Sequence, residues 1–393
     1  MATRKSTLDF LSTEAASGSA LAIAAVAAVF LANSPWADSY FQWVHAKHTL
    51  QVGGFEETRS TLKWIKEGLM AIFFFVVGLE IKYEVLRGEL SSIRKLGLPV
   101  LAAVGGMVAP ALVFLAFNVG DGVPRGWPIP TATDIAFALA ALAIAGPRLP
   151  GSLRIFLLTL AIADDLVAVL LIAVLFTAEL RFPMLAAAAV TLAVLAAMSR
   201  WRTAPYSFWA IGGLLLWAFT LKSGINTSLA GIAAAFCIPL EPKRSGGPGV
   251  LTETMEALHP YVAFFILPLF AFVAAGFSLG VAGDILGPVS LGVAAGLFFG
   301  KQIGVFGAAA LAIGLKWARR PTGAKWIELY GVSALCGVGF TMSLYIGALA
   351  FPDADLARQT QMRAGVGVGS LASILLGVVL LRISAARRGR EGG

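Results

Sequence analysis

The sequence predicts an all-α polytopic membrane protein with twelve transmembrane helices, inverted-topology repeats, two interrupted helices crossing at mid-membrane, and a small β-hairpin on the outer face. Three observations carry this. The 393 residues are 58% hydrophobic and only 13% charged, about half the charge of an ordinary soluble domain and too little to coat a globule of this size. Loops rich in Lys and Arg alternate with loops poor in them. Two apolar segments, one in each half of the chain, are broken at their middles.

The composition excludes a soluble enzyme, a nucleic-acid reader and a disordered chain. The net charge of +8 would suggest a polyanionic partner in a soluble protein; in a membrane protein basic residues first report topology. Cys237 and Cys336 each lie inside an apolar stretch, so neither a disulfide framework nor a cysteine metal site is available.

The apolar segments are 18–32, 62–79, 96–117, 127–145, 153–176, 184–198, 208–221, 229–240, 261–279, 289–315, 327–351 and 364–381. Most reach the roughly 17 to 25 residues that cross hydrocarbon, and the sixth to eighth are short. Lys63 and Lys66 stand near enough to the end of the second for their ammonium groups to reach water. Twenty Lys and Arg residues fall on the side holding the N-terminus, nine on the other, and Lys301 on neither. That bias places both termini in the cytoplasm. A cleaved signal peptide is the alternative for the first segment, but Asp9 and Glu14 spoil its basic start.

The whole of 1–393 reads as one membrane domain, with a long outer loop at 33–61 and a basic cytoplasmic tail at 382–393. In the loop, Gly53-Gly54 between Val52 and Phe55 signals a hairpin turn. An exposed strand edge there can recruit a second copy; an ordinary surface loop is the alternative.

Charges inside spans are where function is to be sought, because each costs about 2.5 to 3.5 kcal/mol at the bilayer centre. Asp164 and Asp165 in L-A-I-A-D-D-L-V-A-V sit at the middle of the fifth segment, and Lys301 in F-F-G-K-Q-I-G at the middle of the tenth. Asp134 follows W-P-I-P-T-A-T, where Pro128 and Pro130 disfavour helix. Extended chain from Trp127 would carry Asp134 to mid-depth, with helix starting only there and Thr131 or Thr133 as N-cap or ligand. C-G-V-G-F-T-M-S, from Cys336 to Ser343, is the matching fault in the eleventh segment. Two interrupted spans, one per half, indicate an inverted-repeat transporter. Asp134 would compensate the N-terminal helix ends at the break and Lys301 the C-terminal ends, or both would serve structure alone.

Adjacent carboxylates titrate as a coupled pair. With threonine hydroxyls and freed carbonyls they supply the oxygen donors that a hard cation takes. Protons compete for the same oxygens, so exchange of a cation for protons follows once access alternates. Other paired-aspartate chemistries fit less well, since no second acidic turn follows Asp164-Asp165 and no G-x-G-D, P-loop, H-E-x-x-H or G-x-S-x-G pattern occurs. A sodium-coupled symporter of an organic solute is the runner-up; an intramembrane enzyme is the alternative from another class.

Five motifs, I-P-T-A-T-D-I-A-F-A-L-A, L-A-I-A-D-D-L, G-L-M-A-I-F-F-F-V-V-G-L-E-I-K, L-H-P-Y-V-A-F-F-I-L-P-L-F-A-F and C-G-V-G-F-T-M-S, closely resemble the NhaA family of bacterial sodium/proton antiporters over about residues 8 to 382. The resemblance implies twelve helices in the inner membrane and electrogenic export of one Na+, or Li+, for two incoming H+, with no cofactor. It implies that Asp164 and Asp165 bind the ion and protons, Asp165 being the more direct sodium ligand, and that Thr133 assists. Asp134 and Lys301 would balance the crossed helices, with Lys301 also pairing with Asp164. Glu80, Glu84 and His259 would regulate by pH, and the hairpin would mediate a homodimer. Two departures stand out: Tyr83 where the family commonly has Arg, and Asn226 where its best-known members carry His. Asn cannot titrate, so the activation pH is expected to differ.

Overall fold

A computed structural model describes residues 2–52, 55–88, 93–120, 123–146, 149–177, 180–200, 204–241, 249–279, 285–353 and 355–391. The chain is mostly helical. In order it forms α1 (Ala2–Ala32), α2 (Ala37–His45), strands β1 (Lys47–Val52) and β2 (Phe55–Ser60), α3 (Thr61–Trp64), α4 (Met70–Leu86), α5 (Ile93–Asn118), α6 (Ile135–Ala145) and α7 (Gly151–Leu175). Then come α8 (Phe182–Met198), α9 (Tyr206–Ser223), α10 (Ser228–Cys237), α11 (Val250–Tyr261), α12 (Leu267–Ala274), α13 (Pro288–Ala295), α14 (Gly307–Gly314), α15 (Trp326–Leu335), α16 (Phe340–Ala350) and α17 (Leu356–Glu391).

Seven helical stretches among the described residues are long and apolar enough to cross a membrane, and α15 with α16, bent by 40° at a short break, makes an eighth. The predicted segments 184–198 and 229–240 fold as the shorter apolar helices α8 and α10. Hydropathy divides the sequence into twelve apolar segments; the helices that satisfy both length and apolarity number seven or eight.

The chain forms two compact units. The first comprises Met1–Ala37, Ser92–Ala168 and Ala274–Gly393, and the second Asp38–Ser91 and Val169–Val273. The core of the first packs Leu139 of α6, Leu157 of α7, Val305, Leu335 of α15 and Leu381 of α17, each at most 7% exposed. Lys301 falls between two π-turns, Gly296–Gly300 and Gln302–Phe306, that join α13 to α14. A π-turn frees a backbone carbonyl from the α-helical ladder and often marks a functional site. Here the Gln302 amide donates to the Phe298 carbonyl at 2.7 Å, and the Tyr330 hydroxyl donates to Gln302 Oε1 at 2.6 Å.

In the second unit residues 47–60 form the hairpin that Gly53-Gly54 between Val52 and Phe55 signals. β1 and β2 are antiparallel with Lys47 opposite Ser60 and Val52 opposite Phe55. Its turn, Gly53-Gly54, lies outside the described residues. The Thr49 and Thr58 hydroxyls meet across the strands at 2.8 Å, and Trp64 Nε1 donates to the His48 carbonyl at 3.0 Å, tying the hairpin to the helix behind it. Every residue of β1 is exposed. Lys66 is only 5% exposed, contrary to the sequence expectation that it reaches water. A π-turn at Ile65–Leu69 shifts the helical register there by one residue, which hydropathy does not signal.

Candidate ion site at the crossing of two broken helices

The first break differs from the extended chain the prolines suggest. Pro124–Gly126 and Ile129–Thr131 are 3-10 turns, and only the stretch from Ala132 to Asp134 is extended. The reason is local: proline fixes φ near −65°, which suits the first position of a helical turn as well as it suits extended chain. The N-cap of α6 is Asp134 itself, not Thr131 or Thr133; its Oδ1 accepts from Phe137 N at 3.1 Å. Thr131 instead donates to the Pro128 carbonyl at 2.8 Å.

The second break, 336–339, crosses the first. Asp134 N donates to the Val338 carbonyl at 2.6 Å, joining the two breaks backbone to backbone. Asp134 Oδ2 accepts from Thr341 N at 2.9 Å and from Thr341 Oγ1 at 2.5 Å. One buried carboxylate thus sits at the N-terminal ends of both α6 and α16, where backbone N–H groups lack helical partners and the dipole favours negative charge. Ser343 Oγ donates to the Ile129 carbonyl at 2.7 Å, fixing α16 to the proline-rich turn. Gly337 lets the second break pack closely on the turn at 296–300 and on α17. A Cβ there would fall on the Leu297 carbonyl and Ser373 Oγ. Gly337→Ala is therefore expected to cost about 1 to 3 kcal/mol through overpacking, read as an earlier thermal transition in detergent; an unchanged transition would show the crossing to be looser than its contacts.

Asp164 is the fourteenth of the 25 residues of α7. Its Oδ2 accepts from Lys301 Nζ at 2.6 Å and lies 2.7 Å from Thr133 Oγ1. Lys301 Nζ also donates to Thr133 Oγ1 at 3.0 Å, and that hydroxyl lies 3.0 Å from the Cys336 carbonyl. The threonine has one proton, so it donates either to the carboxylate or to the carbonyl. Lys301 therefore meets a carboxylate and a hydroxyl, and the carbonyl at the end of α15 is reached through Thr133. Asp164, Asp165, Thr133, Asp134 and Lys301 are each at most 2% exposed. Asp164 Oδ1 accepts no hydrogen bond among the described residues.

Three carboxylates, Asp134, Asp164 and Asp165, are buried together with one ammonium, and Asp164 is the one that pairs with it. Burying such charges is expensive unless they are paired and hydrogen-bonded, and the bonds above meet that demand for Asp134, Lys301 and one oxygen of Asp164. Around Asp164 the converging donors are carboxylate, hydroxyl and carbonyl oxygens, a set suited to a hard cation or to protons. Thr341 and Gln302 went unnoticed in the sequence. Thr341 lies inside the C-G-V-G-F-T-M-S fault, two residues past its second glycine, and that position was the available signal; Gln302 had none beyond its polarity in an apolar segment.

The expected regulatory residues lie in the second unit. Glu80 and Glu84 stand one turn apart on α4, each partly buried. Their basic neighbours are engaged elsewhere: Lys82 Nζ donates to the carbonyls of Phe236 and Ile238 at 2.7 and 2.6 Å, capping α10, and Arg87 pairs with Glu241 at 3.1 Å. His259 is exposed on α11, and no side-chain hydrogen bond or ion pair joins it to either glutamate among the described residues. Asn226 Oδ1 accepts from Ser228 N at 3.0 Å, an Asx turn at the start of α10. Tyr83 packs against the apolar core of this unit.

Multiple apolar helices around a buried oxygen-donor site, built where two interrupted helices cross, define a polytopic membrane protein of the ion-transporting class. Comparison with known sequences is specific. The profile of the Na+/H+ antiporter 1 family matches residues 8–381, and the chain belongs to that family. It is 52% identical over 381 residues to Na(+)/H(+) antiporter NhaA 2 of Pseudomonas savastanoi pv. phaseolicola, covering 96% of this chain and 95% of that protein. It is 50% identical to Na(+)/H(+) antiporter NhaA of Nitrobacter hamburgensis, over 96% and 91% of the two chains. With the protein of that name from Serratia proteamaculans it shares 47%, over 96% and 98%.

Proposed function

We propose that this protein exchanges sodium ions for protons across a bacterial inner membrane, with both termini cytoplasmic, and that Asp164, Asp165 and Thr133 form the transport site. The observation that carries the reading is the buried Asp164, held by Lys301 and Thr133 beside Asp165 at mid-helix. A cation entering this site competes with Lys301 for Asp164 and with protons for both carboxylates. When it leaves, one proton returns to Lys301 as its ion pair with Asp164 re-forms and a second protonates the neighbouring carboxylate, each having been released as the cation bound. Two protons for each Na+ or Li+ makes the exchange electrogenic. Asp134 and Lys301 compensate the broken helices. Glu80 and Glu84 respond to pH, with His259 contributing from α11. The exposed edge of β1 supports association of two copies through the hairpin.

Linkage supplies the test. Protonated carboxylates cannot serve as anionic ligands, so sodium affinity falls as pH falls through their titration. One displaced proton gives a slope of about tenfold in the dissociation constant per pH unit, and two give about a hundredfold. Sodium-pulse exchange in proteoliposomes across pH, with lithium and potassium compared, measures this slope. A pH-independent dissociation constant at fixed ionic strength would contradict direct competition. Sodium-dependent uptake of an organic solute without proton counterflow would select the symporter instead.

A further inference from the structure

Arg382, Arg387, Arg388 and Arg390 read from sequence as cytoplasmic topology cations, but Arg382 and Arg388 have specific partners. Glu328, in the first turn of α15, is fully buried. Its Oε2 accepts from Lys325 N at 2.7 Å and from one terminal nitrogen of Arg388 at 2.8 Å. Its Oε1 accepts from Arg388 Nε at 2.5 Å and from Ser384 Oγ at 2.9 Å. Arg388 thus grips the carboxylate with two nitrogens, the strongest geometry such a pair adopts, and also donates to the Gly323 carbonyl in the loop before α15. Six residues earlier on α17, Arg382 donates to the Ile144 carbonyl at 3.4 Å, in the last turn of α6. Beyond these bonds, toward the ion site, α15 and α17 pack without room for extra atoms: a Cβ on Gly331 would meet Leu381, and one on Gly377 would meet Leu335.

The last turns of α17 therefore hold the outer ends of the two half-helices whose inner ends build the ion site, α6 beginning at Asp134 and α15 ending at the Cys336 carbonyl. From Glu328 to Cys336 is about 12 Å of helix. A packed helix of that length transmits a displacement of one end to the other. A buried ion pair adds little net stability compared with apolar packing, and what it fixes is position.

We propose that the C-terminal end of α17 is a brace on the ion site, with Glu328 and Arg388 as positioning residues for cation affinity; this rests on the antiport reading above. Loosening the brace lets the Cys336 carbonyl drift from Thr133, and the site binds sodium less tightly while the exchange step itself is retained.

The test is sodium-dependent proton exchange in proteoliposomes at fixed pH. Glu328→Gln and Arg388→Ala are expected to raise KM for sodium about three- to tenfold, the range typical of coupling through packed elements, with kcat within about twofold. Arg388→Lys, which keeps the charge and loses the two-nitrogen grip, is expected to fall between. Arg387→Ala removes an exposed neighbouring charge and is expected to leave KM unchanged. Unshifted KM in Glu328→Gln and Arg388→Ala, or an equal shift in Arg387→Ala, overturns the brace. Should Arg388→Ala fail to accumulate in membranes, Arg388→Lys and Ser384→Ala decide the matter by the same split. Wild-type vesicles lacking exchange would sink the antiport reading, whereas wild-type exchange with an unshifted Glu328→Gln sinks the brace alone.

Discussion

Asp164→Asn and Asp165→Asn are each expected to lower sodium/proton exchange by at least about a hundredfold. A carboxylate that coordinates a buried cation contributes about 3 kcal/mol as a charged hydrogen-bonding partner, which corresponds to about that factor. Neither amide can carry a proton through the cycle. The two variants should differ in another respect. Asp164 is the counter-ion of Lys301, 2.6 Å away and almost fully buried, so its amide leaves an ammonium without a full negative partner in the protein interior. Stranding one member of such a pair costs about 3 to 5 kcal/mol. Asp164→Asn should therefore melt earlier in detergent than Asp165→Asn, and adding Lys301→Ala to it should restore part of the loss. Full exchange in both aspartate variants refutes the assignment of the site; equal melting would show that Lys301 draws on a different anion.

The second large effect concerns architecture. Asp134→Ala removes the acceptor for Phe137 N, Thr341 N and Thr341 Oγ1 together. Each buried donor left unpaired costs about 1 to 3 kcal/mol, so the summed loss is about 3 kcal/mol or more. The variant is expected to unfold well below the wild type, with Asp134→Asn intermediate because its amide oxygen can still accept one bond. Exchange should fall in parallel, since the two breaks are joined through this residue. A thermal transition for Asp134→Ala within the scatter of ordinary surface substitutions, about 0.5 kcal/mol, would mean that water or backbone rearrangement caps both helices without it.

Much of this site was legible in the sequence because the membrane makes charge conspicuous. Asp164-Asp165 and Lys301 stand out only because 58% of the chain is hydrophobic, and the prolines and glycines mark the interruptions by backbone chemistry alone. The partners were harder to read. Asp134 and Thr341 are 207 residues apart, and Lys301 and Thr133 are 168 apart; nothing in local pattern pairs them. Backbone detail was also hidden. Hydropathy reports side-chain solubility and is blind to whether a turn closes four or five residues back, so the π-turns flanking Lys301 and containing Lys66 leave no mark on it. Helix length is hidden from it as well: the apolar segments 184–198 and 229–240 fold as helices of 17 and 10 residues. Arg388 shows the converse, a residue fully accounted for by topology whose side chain nonetheless has a specific seat.

The two cysteines have a consequence of another kind. Both thiols are buried, and Cys336 meets the ion site through its carbonyl oxygen while its side chain is wholly covered. A thiol reacts as a thiolate and only where a reagent can touch it. Thiol-seeking electrophiles are therefore expected to label neither cysteine of the folded protein.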